Sequence, residues 1–119
     1  MKLFNLLAGV CLLASQASIA AEATITARVN DVLFTSDEAF GACMAQLSVD
    51  IADNSSLNCP AGWVSFSCTG HFMEKEYAYR MFDTAQLAFA LDSRVRIRVS
   101  DAKKHNGWCT VVHMTILKK

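Results

Sequence analysis

The sequence predicts a small, mainly β domain with one helix and two disulfides. Three observations carry that expectation. Short runs that alternate apolar with polar residues are separated by turn-forming residues. A single segment, 74–91, changes to a three- and four-residue apolar period. Four cysteines follow a leader-like start.

The leader comes first. Lys2 supplies a positive charge, Leu3 to Ala14 is an apolar run broken only by Asn5, and Ser15 to Ala21 is mostly small residues. That order describes a secretory signal peptide over 1–20, of bacterial type, followed by one domain over 21–119. Cleavage after Ala20 puts Ser18 and Ala20 at the two positions that must be small, and cleavage after Ala21 fits nearly as well. The apolar stretch is well short of the roughly 20 residues that span a bilayer, so no stable membrane insertion is expected. Val10 precedes Cys11 inside the apolar run, which is the wrong context for a lipid anchor. The expected location is secreted or periplasmic.

About 100 residues then remain, enough for one domain with a core small enough to benefit from covalent staples. The cysteines that remain are Cys43, Cys59, Cys68 and Cys109. An even set in an exported small domain predicts two disulfides. There is no C-x-x-C pair and no close Cys/His grouping, so no metal and no other cofactor is expected. Spacing leaves the connectivity open. Cys43 with Cys68 and Cys59 with Cys109 is one solution; Cys43 with Cys59 and Cys68 with Cys109 is about as good.

Residues 24–34 alternate, with Ile25, Ala27 and Val29 facing one way. Residues 42–49 repeat the pattern with Cys43, Ala45, Leu47 and Val49. Asp50 to Gly62 is rich in turn formers. The third strand, Trp63 to Cys68, turns Val64, Phe66 and Cys68 inward. In the helical segment Ala78, Met81, Phe82, Ala85, Ala88 and Phe89 form a stripe that Leu87 and Leu91 widen, so the helix is expected to meet more than one surface. Arg94 to Ser100 alternates strictly, with Val95, Ile97 and Val99 inward. Asp101 to Gly107 is read as a polar loop ending in an Asn-Gly turn, and Trp108 to Leu117 is the last strand. The order β-β-β-α-β-β is that of the OB-fold, a five-stranded, partly open Greek-key barrel. A looser α+β sandwich is the alternative.

Within the C-terminal half, Arg80, Met81, Asp83 and Thr84 make an R-M-x-D-T helix core. Ala85 and Gln86 begin an A-Q-x-x-F run that ends at Phe89, Val95 to Ile97 reads V-R-I, and His105, Asn106 and Gly107 read H-N-G. This half resembles the cell-binding B subunits of bacterial AB-type toxins: the cholera and heat-labile enterotoxin, Shiga, and subtilase-cytotoxin or pertussis-like families. The resemblance implies an OB-fold, a homopentameric ring with helices toward a central pore, recognition of a cell-surface glycan or glycoprotein, and an exported toxic A-type partner chain. The N-terminal half, with its NCPAGWVSFSC segment, and the cysteine positions depart from those families.

No enzyme is expected. His71, His105 and His113 lie on different elements, the cysteines are oxidised, and no paired carboxylates or phosphate loop is present. Eleven basic and eleven acidic residues leave no net charge, which argues against nucleic acid despite the Arg94/Arg96/Arg98 stripe. Acidic residues gather early and basic ones late, a split that weakly favours association between subunits. Glycan recognition needs an aromatic face and several hydrogen-bonding groups. The loop with Asp101, Lys103, Lys104, His105, Asn106 and Trp108 offers both, at a position where OB-folds bind oligosaccharides. Trp63, beside Ser65 on the third strand, is the second candidate. The expected function is therefore an exported glycan-binding module of homo-oligomeric, toxin-B-like type. The alternative is a stand-alone periplasmic or secreted OB-fold protein that binds a protein partner or periplasmic ligand.

Overall fold

The computed structural model describes residues 21–119; the expected leader lies outside the described residues. The elements are β1 (Glu22–Phe34), β2 (Cys43–Leu47), β3 (Trp63–Ser65), α1 (Lys75–Leu91), β4 (Arg94–His105) and β5 (Trp108–Ile116), with short 3-10 turns at Glu38–Phe40 and Ala52–Asn54. They form a closed barrel in the order β1-β2-β3-β5-β4. All pairings are antiparallel except β3 with β5, which meet in parallel at Ser65 and Thr110. This is the OB-fold-like barrel expected, closed rather than partly open, and not a sandwich.

The alternation read in the sequence becomes the barrel interior. Ile25, Ala27, Val29, Cys43, Ala45, Leu47, Val64, Phe66, Val95, Ile97 and Val99 are all buried. Ile51 and Leu57, from the turn-rich segment, add to this core. Helix α1 contributes Ala78, Phe82, Ala85 and Ala88; small residues at three of these four positions let its axis approach the sheet closely. Phe82 meets Phe66 edge-on at 5.7 Å between ring centroids, which ties helix to barrel. Leu87, Phe89 and Leu91 stay about half exposed, so among the described residues this edge of the apolar stripe is only partly covered.

Two element boundaries differ from expectation by three residues or more, the others by no more than two. The third strand ends at Ser65 instead of Cys68, because Ser67 takes a left-handed backbone (φ 57°) and turns the chain away while Phe66 and Cys68 stay buried. The segment read as a polar loop is mostly strand: β4 runs on to His105 through an irregularity between Ser100 and Lys104. The connection is only Asn106 and Gly107, both at positive φ, the backbone of a tight hairpin whose twist matches its strands.

The disulfides join Cys43 to Cys68 and Cys59 to Cys109, settling the pairing that spacing left open. The first closes β2 onto the chain after β3. The second fastens the turn-rich segment to the start of β5. Arg98 pairs with Glu22 at 2.7 Å, so one member of the arginine stripe is neutralised across the β1–β4 ladder.

Candidate functional site

A bulge between Val29 and Asp31 reverses the facing of β1. Val32 turns to the core after it, and Leu33 turns outward opposite Met44. β2 places Met44 opposite Ser65 and Gln46 opposite Trp63. On the outside of the barrel these ladders assemble Leu33, Met44, Trp63 and Trp108, and Phe40 from the 3-10 turn joins them around a crevice of about 170 Å³. Met44 is buried and forms its floor; Trp63 and Trp108 are half-buried and present part of each indole. Every side chain lining the crevice is apolar or aromatic. At this size it takes one ring face or one apolar substituent, against the roughly 300–1,000 Å³ of a pocket that encloses a small molecule. Asp31 and Gln46 pair across β1 and β2 beside Trp63 and place polar groups at its rim.

The 3-10 turn that gives Phe40 to the crevice presents Glu38 and Ala39 to a second depression, an open groove of about 470 Å³ with His71, Phe72, Lys104, His105 and Asn106. The two tryptophans, candidates from separate segments, thus share one crevice, whereas the polar residues next to Trp108 in sequence do not join it. Lys104, His105 and Asn106 face the groove, and Lys103 lines a third depression beside Glu22. Asp101 is committed internally, accepting from the backbone N–H groups of Ala21 and Asn58 at 3.2 Å each. Lys104 Nζ donates to the Asn58 carbonyl at 2.6 Å. Ser65 is fully buried, its hydroxyl donating to the Phe40 carbonyl at 2.8 Å, so it braces the crevice wall from behind and offers nothing to a ligand.

His105 is also buried, pairing through Nε2 with Ser67 Oγ at 2.8 Å and packing on Phe72 at 4.7 Å and His71 at 5.5 Å between centroids. Gly41 makes room for it. A Cβ there would come within 2.5 Å of Ser65 Oγ and 2.9 Å of His105 Cδ2, and its φ of 71° already disfavours a side chain. A serine–histidine pair at hydrogen-bond distance has the outline of a nucleophile and base. Ser67, however, is completely buried and its Oγ also accepts from the Phe72 N–H, so the pair serves to hold the 68–74 segment down. No group of three or more His, Cys, Asp or Glu that could hold a metal occurs among the described residues.

Neither a family model, nor a curated protein, nor a solved structure matches the chain. What stands is the architecture: a compact OB-fold-like barrel of the kind used for binding, with a two-tryptophan crevice on its outer face.

Burial holds the His105 imidazole below its ordinary value of 6.5, and the charge of nearby His71 acts in the same direction. The unfolded chain therefore takes up this proton more readily than the folded one. The stabilisation is fully present above about pH 6.5 and is lost as pH falls below it toward the depressed folded value. Thermal melts from pH 7.5 to 5 are expected to show a falling Tm, and His105→Gln to flatten that fall. An identical pH slope in the variant would remove His105 as its source.

Leu33, Phe40 and Met44 had no signal of their own in the sequence. The bulge that turns Leu33 outward, and the 3-10 turn that carries Phe40 to the tryptophans, are products of packing.

Proposed function

We propose that this chain is an exported glycan-binding module that works as a homo-oligomer, in the manner of the toxin B subunits its C-terminal half resembles. The observation that carries the reading is the meeting of Trp63 and Trp108 in one outer crevice. Indole faces accept the C–H surface of a sugar ring, and Asp31 and Gln46 at the rim supply acceptors and donors for its hydroxyls. The ligand patch of this reading is centred on the two tryptophans. Asn106, across the 3-10 turn, can reach a longer oligosaccharide only through the adjoining groove, where the Lys104 ammonium is held on the Asn58 carbonyl. Oligomerisation is supported by the outward apolar residues of α1, namely Leu87 and Leu91 with Tyr77, which are about half exposed in the single chain. A ring of five, a cell-surface receptor and an A-type partner follow from the same resemblance. Among the described residues no helix is long and apolar enough to cross a membrane.

A specific observation favours a second reading. The crevice lining contains no polar side chain, which suits an apolar anchor residue of a protein partner as well as a sugar face. A glycan array probed with the mature protein, together with its solution mass, separates the two. Glycan binding by a species near five subunits supports the first; a monomer that binds no glycan supports the second. In the first case Trp63→Ala and Trp108→Ala are each expected to weaken binding by about 5-fold or more, on the scale of the roughly 1–3 kcal/mol that a base stacked on an aromatic side chain contributes. Ser65→Ala, behind the crevice, should leave affinity within about threefold. Unchanged binding in both tryptophan variants would move the site elsewhere.

A further inference from the structure

The start of the described chain is tied down by two reciprocal hydrogen bonds to one residue. The backbone N of Ala21 donates to Asp101 Oδ1 at 3.2 Å, and the Asp101 N–H returns a bond to the Ala21 carbonyl at 3.2 Å. The other oxygen of the same carboxylate accepts from the Asn58 N–H, and the Asn58 carbonyl accepts from Lys104 Nζ. Asp101 thereby joins three distant pieces of sequence: the first residue before β1, the segment held by the Cys59–Cys109 bridge, and β4 itself. The Ala21 nitrogen is a plain amide in the full chain, like that of Asn58 on the other carboxylate oxygen.

We propose that Ala20–Ala21 is the processing site, and that Asp101 is the docking carboxylate for the α-ammonium group that cleavage there creates. The inference rests on the signal-peptide reading and goes beyond it by choosing between two cleavage positions that the sequence ranks nearly equal. Hydrolysis by a signal peptidase adds one water across the Ala20–Ala21 amide. Ala20 leaves as a carboxylate, and the freed Ala21 amine takes up a proton. The cation is then formed at the nitrogen that lies 3.2 Å from Asp101 Oδ1. Cleavage one residue later would remove both Ala21 bonds and leave that carboxylate oxygen without its partner. The protease reads an extended chain, so cutting precedes docking, and docking then turns the amide–carboxylate hydrogen bond into an ion pair, which the precursor cannot make.

Other charges around the new terminus are balanced or turned elsewhere. Glu22 pairs with Arg98 across the ladder, Lys103 lies beside Glu22 in the neighbouring depression, and Lys104 is spent on Asn58. The ammonium is therefore expected to titrate above the ordinary α-amino range of about 7.7–8.0. A raised folded pKa gives stability that is present below the unfolded value and is lost as pH rises through the folded one.

The test begins with the precursor, residues 1–119, expressed in a bacterium with an oxidising periplasm, and the intact mass and N-terminal sequence of the recovered protein. A start at Ala21 is the expected result. A start at Glu22 overturns the processing site while leaving export intact. Recovery of only the uncleaved chain overturns the export reading and this inference together. The second arm compares the protein starting at Ala21 with one that retains Ala20, and with Asp101→Asn. Each variant is expected to melt about 1–5 °C lower at pH 7, and that deficit should shrink toward pH 10. A structural role of Asp101 through Asn58 alone would give a deficit independent of pH and no effect of retaining Ala20, and either result overturns the ion pair.

Discussion

Removing the Cys59–Cys109 bridge, as the double variant Cys59→Ala/Cys109→Ala, is expected to destabilise the domain by about 4 kcal/mol, and removing Cys43–Cys68 by about 3.5 kcal/mol. The bridges close 50 and 25 residues of sequence, and the entropy that a crosslink removes from the unfolded chain grows only with the logarithm of that length. A domain of this size has about 5–15 kcal/mol in total, so either loss consumes a large share. The longer bridge has a further consequence. It fixes the turn-rich segment whose Ile51 and Leu57 fill the core and whose Asn58 is held by Asp101 and Lys104. Loss of the bridge is therefore expected to loosen 50–62 before the barrel opens. Urea midpoints of oxidised, reduced and double-variant proteins check the magnitude, and hydrogen exchange along 50–62 checks the order. Equal midpoints with and without reductant would mean that the sulfurs contribute no constraint.

Phe66→Ala is expected to cost about 3–5 kcal/mol, the range for deleting a fully buried aromatic ring. Phe66 has no exposed surface, stacks edge-on against Phe82 of α1, and donates its backbone N–H to the Cys43 carbonyl at 2.9 Å. Its ring occupies the space between helix and barrel, where alanines at 78, 85 and 88 have no side chain long enough to collapse into a void. The cavity term should therefore be close to its full value. Phe89→Ala removes the same ring from a position about half exposed and should cost far less in the single chain. Similar losses for the two variants, measured by denaturant unfolding of dilute protein, would contradict the packing described for α1.

If the helix also meets a second copy, the two variants separate again. Phe66→Ala lowers the stability of the fold itself, whereas substitutions at Leu87 or Leu91 should alter subunit association with little effect on the unfolding of isolated chains. The apolar excess on α1 is visible in sequence, because Leu87 and Leu91 lie outside the face that a two-layer packing needs.

Local periodicity decided the strands, the helix and most of the core. The alternation in 24–29, 43–47 and 94–99 leaves only one face that can be buried, and the 78-82-85-88 spacing leaves only one helix face. Two staples and a barrel order followed from signals equally local. The cysteine pairing, the closure of β3 onto β5, the extension of β4 to His105 and the meeting of Trp63 with Trp108 were decided by tertiary structure. Each of these joins residues distant in sequence, or depends on a one-residue irregularity. The bulge in β1 exchanges inside for outside from Asp31 onward, and the left-handed turn at Ser67 ends a strand whose alternation continues through Cys68. A period-two pattern specifies which residues share a face, but the register that brings two faces together is fixed only when the barrel closes.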